Sequence, residues 1–414
     1  MKNKIPPLLK KIFIVTPHLY TIGNSSEEIY LSLIKARKES KKVLFLTPFN
    51  IFYLYTRSIQ CNTLIKINTQ YSISQKNILI ILIRILFSFF TLFCRFVDIF
   101  LAKFFNKTDT FFRDYAICPR IGISSIYNPY SGSLNEIERL TVKYGWDDAF
   151  SKPLNLSNNF SIKHTNNKRI INELGLNSKK YVCLHVRSSE TYDDSIESHE
   201  RNANIENYYS VIKYLIEKKY HVVRMGDSNM PRANKIKGLL DYAHSENNNQ
   251  YNDQCLIANC SFYIGMTSGI HPMAWLFEKD MIIVNNPAWL YSSPKPFDVD
   301  LFKVIYDKRT QKRLRVSDWI TNHHGGAHFT DLLEERYLTI ENTSEEILLC
   351  VKNYLNKDTI SSTQSKEIQS IIRSSALKFA KLNQHISINT LYRFYLVAYL
   401  SKGKLDKSFY EKNF

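Results

Sequence analysis

Apolar residues in this chain fall into short unbroken runs, separated by stretches in which they recur every three to four residues. That is the pattern of buried parallel strands alternating with covering helices. The sharpest run, Tyr181 to Arg187, is apolar except for His185 and Arg187 at its end, and predicts a strand buried on both faces that delivers two polar side chains to a sheet edge. Ile205, Tyr208, Tyr209, Ile212, Leu215 and Ile216 then keep helical spacing, with Asn204 placed to cap the first turn. His221 to Met225 predicts a second strand, ended by Gly226 and Asp227. Strand, crossover helix and parallel strand make one Rossmann-like half. Further on, the pattern predicts a helix over Arg232–His244, a strand over Ser261–Gly265, and a helix carrying Ile270, Met273, Ala274 and Phe277 with Ser268 as its cap and Pro272 in its first turn. A strand at Met281–Val284 follows, and from about Ser344 the period is helical.

The first third repeats the alternation. Lys11 to Thr16 reads as a strand, followed by a helix carrying Ile29, Leu33 and Ile34, capped by Ser25 or Ser26 with Glu27 and Glu28 in its first turn. Val43–Leu46 is the next strand, and Leu64–Ile67 and Tyr115–Cys118 are shorter candidates. The Asn- and Ser-rich stretch 153–167 lacks periodicity and reads as a linker. The expected division is an amino-terminal Rossmann-like domain over 1–155, a second one over 168–340 and a helical extension over 341–414. Residues 76–107 interrupt the pattern. Arg84, Ser88, Thr91, Arg95 and Asp98 superpose on one narrow helical face and the rest is Ile, Leu and Phe. With Lys76, Lys103 and Lys107 at its flanks, this helix suits a bilayer interface better than burial inside a domain, or than a true span.

Composition adds one fact of consequence. Across 414 residues the formal net charge is +17, which points to an anionic partner: a phosphate-bearing substrate, an anionic lipid or a nucleic acid. The chain is also rich in Ile, Asn, Ser and Tyr, a skew that can supply surplus Lys without any ligand. Seven cysteines without CxxC spacing suggest neither a zinc ribbon nor a disulfide framework and fit a reducing cytosol. The first seven residues lack the features of a secretory signal, so the expected location is cytoplasmic.

Several residues are candidates for chemistry. A capped helix after the strand Ser261–Gly265 would offer free N–H groups and a positive dipole end to an anion, with Gly265 and Gly269 allowing close approach and Thr267 and Ser268 adding hydroxyls. Arg187, one sheet position away, suits a bidentate contact to the same phosphate. Three other patterns are read as inert. Asp298-Val299-Asp300 is taken as a surface turn. His323, His324 and His328 lack a fixed ligand spacing and are taken as a polar loop, so no metal site is expected. The basic run at Lys308, Arg309, Lys312, Arg313 and Arg315 lacks interleaved aromatics, so it is taken as a solvated or lipid-facing surface and no nucleic-acid partner is expected.

The ordered set Leu184-His185-Val186-Arg187, then His199 to Tyr208, Val222 to Asp227 and Ser261 to Trp275, resembles a family of bacterial glycosyltransferases found with surface-polysaccharide genes. Ile22-Gly23 and Pro119-Arg120-Ile121-Gly122 resemble its amino-terminal landmarks, and the similarity spans residues 11 to 340. More distantly, His185-Val186-Arg187 and the Thr267-Ser268 turn are similar to the donor-site motifs of metal-independent fucosyltransferases of two-domain GT-B architecture. Ser188 stands where Asp is expected, and Asn24 where His is expected.

The resemblance implies a GT-B fold of two Rossmann-like domains, with a nucleotide sugar as donor and a cell-envelope polysaccharide or lipid-linked glycan as acceptor. It implies donor contacts from Arg187, Arg201, Arg224, Gly226, Thr267, Ser268 and Gly269, acceptor-side roles for His18, Gly23 and Asn24, and no metal cofactor. Arg187, His185 and Asp227 are the candidate catalytic groups, while the base stays open among His18, His185, Glu190, Asp193 and Asp227. The expected setting is the inner face of the cytoplasmic membrane, in peripheral contact with anionic lipid. The rival readings are a non-catalytic nucleotide-sugar-binding subunit of an envelope assembly complex, and a basic nucleic-acid-binding protein.

Overall fold

The computed structural model describes residues 11–19, 21–49, 64–65, 69–105, 152–154, 165–177, 179–188, 201–287, 293–315, 317–318, 336–382 and 401–414. The expected strand at Tyr115–Cys118, most of the linker, Pro119–Gly122, Glu190, Asp193, His199 and the histidines at 323, 324 and 328 lie outside them. The chain divides into two compact units. Unit 1 comprises Met1–Pro129, Leu154–Ser161 and Trp275–Glu278, and unit 2 comprises Tyr130–Pro153, Ile162–Ala274 and Lys279–Phe414.

In unit 1, β1 (Ile12–Val15) pairs in parallel with β2 (Lys42–Phe45), joined by α1 (Ile22–Lys38). Residues 64 and 65 are buried in a helical turn, not a strand. The start of α1 departs from expectation: Thr21 is the N-cap, and Ser25 and Ser26 sit one turn inside, their hydroxyls donating to the carbonyls of Thr21 and Ile22 at 2.8 and 2.7 Å. The imidazole Nδ1 of His18 accepts from the Thr21 N–H at 3.2 Å, and the His18 N–H donates to Glu28 Oε2 at 2.6 Å. An apolar-period count cannot see a cap of that kind.

The other long element of unit 1 is α2 (Ile78–Phe105), which lies along the end of β2. Of the expected polar stripe, Arg84, Ser88 and Thr91 face inward. Arg84 is buried, donating from Nε to the Thr47 carbonyl at 3.0 Å and from Nη2 to the Thr47 hydroxyl at 2.9 Å, with its guanidinium 4.1 Å from the centre of the Phe49 ring. Ser88 and Thr91 are buried beside it. The apolar face is the one left exposed, so the alternative of an internal helix with one wet edge is excluded. Among the described residues no helix is long and apolar enough to cross a membrane.

Unit 2 is built on seven parallel strands. After α3 (Thr165–Glu173) come β3 (Tyr181–His185), a 3-10 turn (Ile205–Tyr208) running into α4 (Tyr209–Glu217), β4 (His221–Met225), β5 (Leu239–Leu240), α5 (Gln250–Asn259), β6 (Tyr263–Gly265), α6 (His271–Leu276), β7 (Met281–Asn286) and β8 (Val299–Phe302). A three-stranded antiparallel sheet of β9 (Val304–Asp307), β10 (Lys312–Arg313) and β11 (Tyr337–Ile340) follows, then α7 (Ser344–Leu355), α8 (Ser362–Leu382), β12 (Lys404–Leu405) and α9 (Lys407–Asn413). The large sheet runs β12-β8-β7-β6-β3-β4-β5. Numbered from β3 as first strand, this is the doubly wound order 3-2-1-4-5-6 with one added edge strand, and its topological switch lies between β3 and β6. The carboxy-terminal segment is therefore not wholly helical, because β12 pairs with β8 at Val299 and Asp300.

Two further expectations fail for local reasons, and α5 is a helix that the apolar pattern does not announce. The segment 232–244 is no helix: Asp241 gathers the Ala233 N–H and the Arg224 guanidinium, Gly238 turns the backbone at φ +99°, and Leu239–Leu240 joins the sheet edge. Helix α5 shows no amphipathic period because Gln254 to Ala258 are buried on every side. The Asp298-Val299-Asp300 triplet is buried and its last two residues belong to strand β8, so it is not a surface turn. Expectations at β4, at the Asn204 cap, whose Oδ1 accepts from the Glu206 N–H at 3.0 Å, and at the exposed basic run 308–315 agree with the structure.

Candidate functional site

Strand β3 ends with His185, and the chain continues through Val186 and Arg187 in the direction of the neighbouring β6, which ends at Gly265. Because β3 and β6 are paired in register, with Leu184 opposite Ile264, their exits lie side by side. The Arg187 N–H meets Met266 Sδ at 2.9 Å, and the Ser268 hydroxyl lies 3.1 Å from His185 Nδ1. Arg187, His185 and Ser268 therefore share the carboxyl edge of the sheet at its switch point.

Gly226, at the exit of β4, borders the same imidazole. A Cβ built there would stand 3.7 Å from His185 Cδ2 and 2.2 Å from Met230 Sδ, and φ is +142°, so only glycine fits. Asp227 follows it at the surface, where crowding by neighbouring atoms raises its carboxyl pKa above the ordinary value.

The electrostatic character of this edge is positive. Burial, then Arg224, Arg187 and His271, push the His185 pKa down to about 3, so its imidazole is neutral at physiological pH. Burial also lowers His271 to about 4, with Arg201 adding to the effect. Ser268 is tied to His271 through the backbone, its carbonyl 2.7 Å from His271 Nδ1. Arg187 is buried and donates to Asn202 Oδ1. Lys303, which the sequence pattern does not single out, is also buried and donates from Nζ to the Asn202 carbonyl at 2.8 Å. Glu341 accepts from the Asn204 N–H at 3.1 Å and anchors the same segment.

Not every expected site residue is available for an anion. Arg224 is committed to Asp241 at 3.0 Å and to the Pro231 carbonyl at 2.7 Å, although its buried Nε has no hydrogen-bond partner among the described residues. The Thr267 hydroxyl donates to Asn286 Oδ1 at 3.2 Å, and Asn286 donates in turn to Asp300 Oδ1 at 3.1 Å, which also accepts from the Ser293 hydroxyl. Thr267 thus has no proton left to give. Ser268 is not a side-chain cap for α6, and α6 is only six residues long, which weakens the expected helix-terminus seat. Gly269 lies in the turn between Ser268 and α6. His18, Gly23 and Asn24 belong to unit 1, around the start of α1. Among the described residues no cluster of His, Cys, Asp or Glu is arranged to hold a metal ion.

Buried acids in unit 2 make the pH dependence of stability unusual. Burial raises Asp253, Asp298 and Asp300 to about 7 from 3.8, so their contribution is complete below 3.8 and is lost as pH rises through 7. His185 and His271 act oppositely: depressed from 6.5, they contribute fully above 6.5 and lose that contribution as pH falls toward 4 and 3. Three acids outweigh two imidazoles, so the protein is expected to be more stable at pH 6 than at pH 8 by about 2 kcal/mol. Melting temperatures at the two pH values check the sign, and a higher value at pH 8 contradicts it.

No protein-family model matches the chain, and no curated protein matches it. Among solved structures, the chain is similar to ADP-heptose lps heptosyltransferase II of E. coli, at 14% identity over 84% of this chain and 99% of that chain, with a TM-score of 0.44. A likeness of that degree assigns no activity.

Proposed function

We propose that the protein is a metal-independent glycosyltransferase whose seven-stranded sheet binds the diphosphate of a nucleotide-activated sugar and whose acceptor is a cell-envelope polysaccharide or lipid-linked glycan. The observation that carries this reading is the meeting of Arg187, His185 and Ser268 at the switch point of a doubly wound parallel sheet, where such folds take their ligands. In transfer, an acceptor oxygen attacks the anomeric carbon while the bond from that carbon to the diphosphate oxygen breaks, its electron pair leaving with the diphosphate. The guanidinium of Arg187, with Arg201 and Lys303 nearby, supplies fixed positive charge for the leaving group. Neutral His185 can donate a hydrogen bond to a diphosphate oxygen from one ring nitrogen while the other meets Ser268. The acceptor proton needs a base, and exposed Asp227 at the β4 exit is the candidate on this edge, its raised pKa favouring proton uptake. His18, Gly23 and Asn24 are proposed for the acceptor side.

A thermal-shift screen of the full chain against nucleoside mono- and diphosphate sugars tests the reading. A ligand at a hundred times its Kd stabilises by about 2.7 kcal/mol, or roughly 3 °C for a chain of this size. Stabilisation by a nucleotide sugar, with release of its nucleotide when an acceptor is added, is the expected result. No shift with any nucleotide sugar would remove the proposal, and a shift without turnover on any acceptor would make the protein a binding subunit.

A further inference from the structure

The helix α2 is amphipathic in the reverse of the usual sense. A surface helix of a water-soluble domain turns its apolar stripe to the core, whereas α2 buries Arg84, Ser88 and Thr91 and exposes the opposite face. On that face Leu82, Leu86, Phe89, Phe93, Phe96 and Phe100 recur at alternating steps of four and three, each 50–70% exposed. The helix is 28 residues long, and the band from Leu82 to Phe100 runs for about 27 Å of it. It cannot roll inward, because the Arg84 bonds to Thr47, the Ser88 hydroxyl accepting from the Phe49 N–H at 2.7 Å, and the stacking of Arg84 on Phe49 fix its rotation. Phe96, Val97, Phe100 and Phe104 form an open apolar surface with Lys103 at its side.

We propose that this face seats unit 1 on an anionic phospholipid leaflet, with the helix axis in the plane of the bilayer and its phenylalanines among the upper acyl chains. Charge selects this occupant over a second copy of the chain. Exposed Lys76 precedes the helix and exposed Lys103 lies in its last turn, on a protein of net charge +17. An antiparallel pairing of two copies through this face would set Lys76 beside the partner's Lys103, and a parallel pairing would set Lys103 beside its own counterpart. Either puts like charges together, whereas lipid phosphates neutralise both ends. The inward-facing Arg84, Ser88 and Thr91 also argue against insertion across the bilayer, where buried Arg84 would have to leave Thr47. The proposal does not depend on the glycosyl-transfer reading.

Co-sedimentation of the full chain with vesicles tests it, comparing equal parts phosphatidylcholine and phosphatidylglycerol with phosphatidylcholine alone. Binding to the anionic vesicles is expected to be at least about tenfold the stronger and to weaken with added salt. Leu86→Glu with Phe93→Glu, both on the exposed face, is expected to lower the partition coefficient about tenfold or more. Lys76→Glu with Lys103→Glu is expected to remove the preference for phosphatidylglycerol while keeping the apolar contribution. Failure of the unaltered chain to bind either vesicle overturns the proposal. So does a dimer in analytical ultracentrifugation that Leu86→Glu with Phe93→Glu dissolves while vesicle binding is absent, since the face would then belong to a second copy.

Discussion

Arg187→Ala is expected to abolish stabilisation by a nucleotide sugar and to lower kcat/KM by about a hundred- to a thousandfold, the usual loss when one preorganised donor to a developing anion is removed. The side chain is placed for that role by three constraints: in-register pairing of β3 with β6, the hydrogen bond from its N–H to Met266, and its own carbonyl accepting from the Ala203 N–H at 3.0 Å. Arg187→Lys is expected to recover little, because an ammonium cannot reproduce a planar fork. The substitution also leaves Asn202 Oδ1 without this donor, so the ligand-free melting temperature falls by the equivalent of about 1–3 kcal/mol. The informative quantity is therefore the shift on adding ligand, measured for each variant against its own baseline. A full shift in Arg187→Ala would remove Arg187 from the donor site.

Asp241→Ala should behave in the opposite way. Arg224 is 1% exposed and holds Asp241 at 3.0 Å, so removing the acid strands a guanidinium in the interior at a cost of about 3–5 kcal/mol. Asp241 also gathers the Ala233 N–H, and its loss frees the loop that carries the edge strand β5. A large drop in melting temperature is expected, with the ligand-induced shift retained. Replacing both partners together, as Arg224→Met with Asp241→Leu, is expected to restore part of the loss, since apolar packing substitutes well for a buried ion pair. An Asp241→Ala protein that melts like the unaltered chain would show that Arg224 is not held in the way described.

Much of unit 2 is legible in the sequence because parallel strands covered on both faces leave apolar runs too dense to miss. Tyr181–His185 and His221–Met225 appear in the structure almost as written, and the pairing that brings Arg187 and Ser268 to one edge follows from strand order once β6 is recognised. What stays hidden is any feature set by side-chain partners distant in sequence. Lys303 reads as one more lysine until the fold sets its Nζ against Asn202, 101 residues away. Asp300 looks like a turn acid until Ser293 and Asn286 enclose it. Thr267 reads as a hydroxyl donor until Asn286 takes its proton. The helix α2 teaches a different lesson: periodicity finds the polar stripe of a helix but cannot say which side of the protein that stripe will face. Arg84 settles the direction only because Thr47 and Phe49, residues of the strand exit, supply its partners.

The most direct test is a crystal structure of the full chain with a nucleoside diphosphate. The expected result is a diphosphate at the carboxyl edge between β3 and β6, within hydrogen-bonding distance of the Arg187 guanidinium and close to His185 and Ser268. A nucleotide bound elsewhere, with Arg187 still turned to Asn202 and no phosphate beside it, would contradict the assignment of this edge as the donor site.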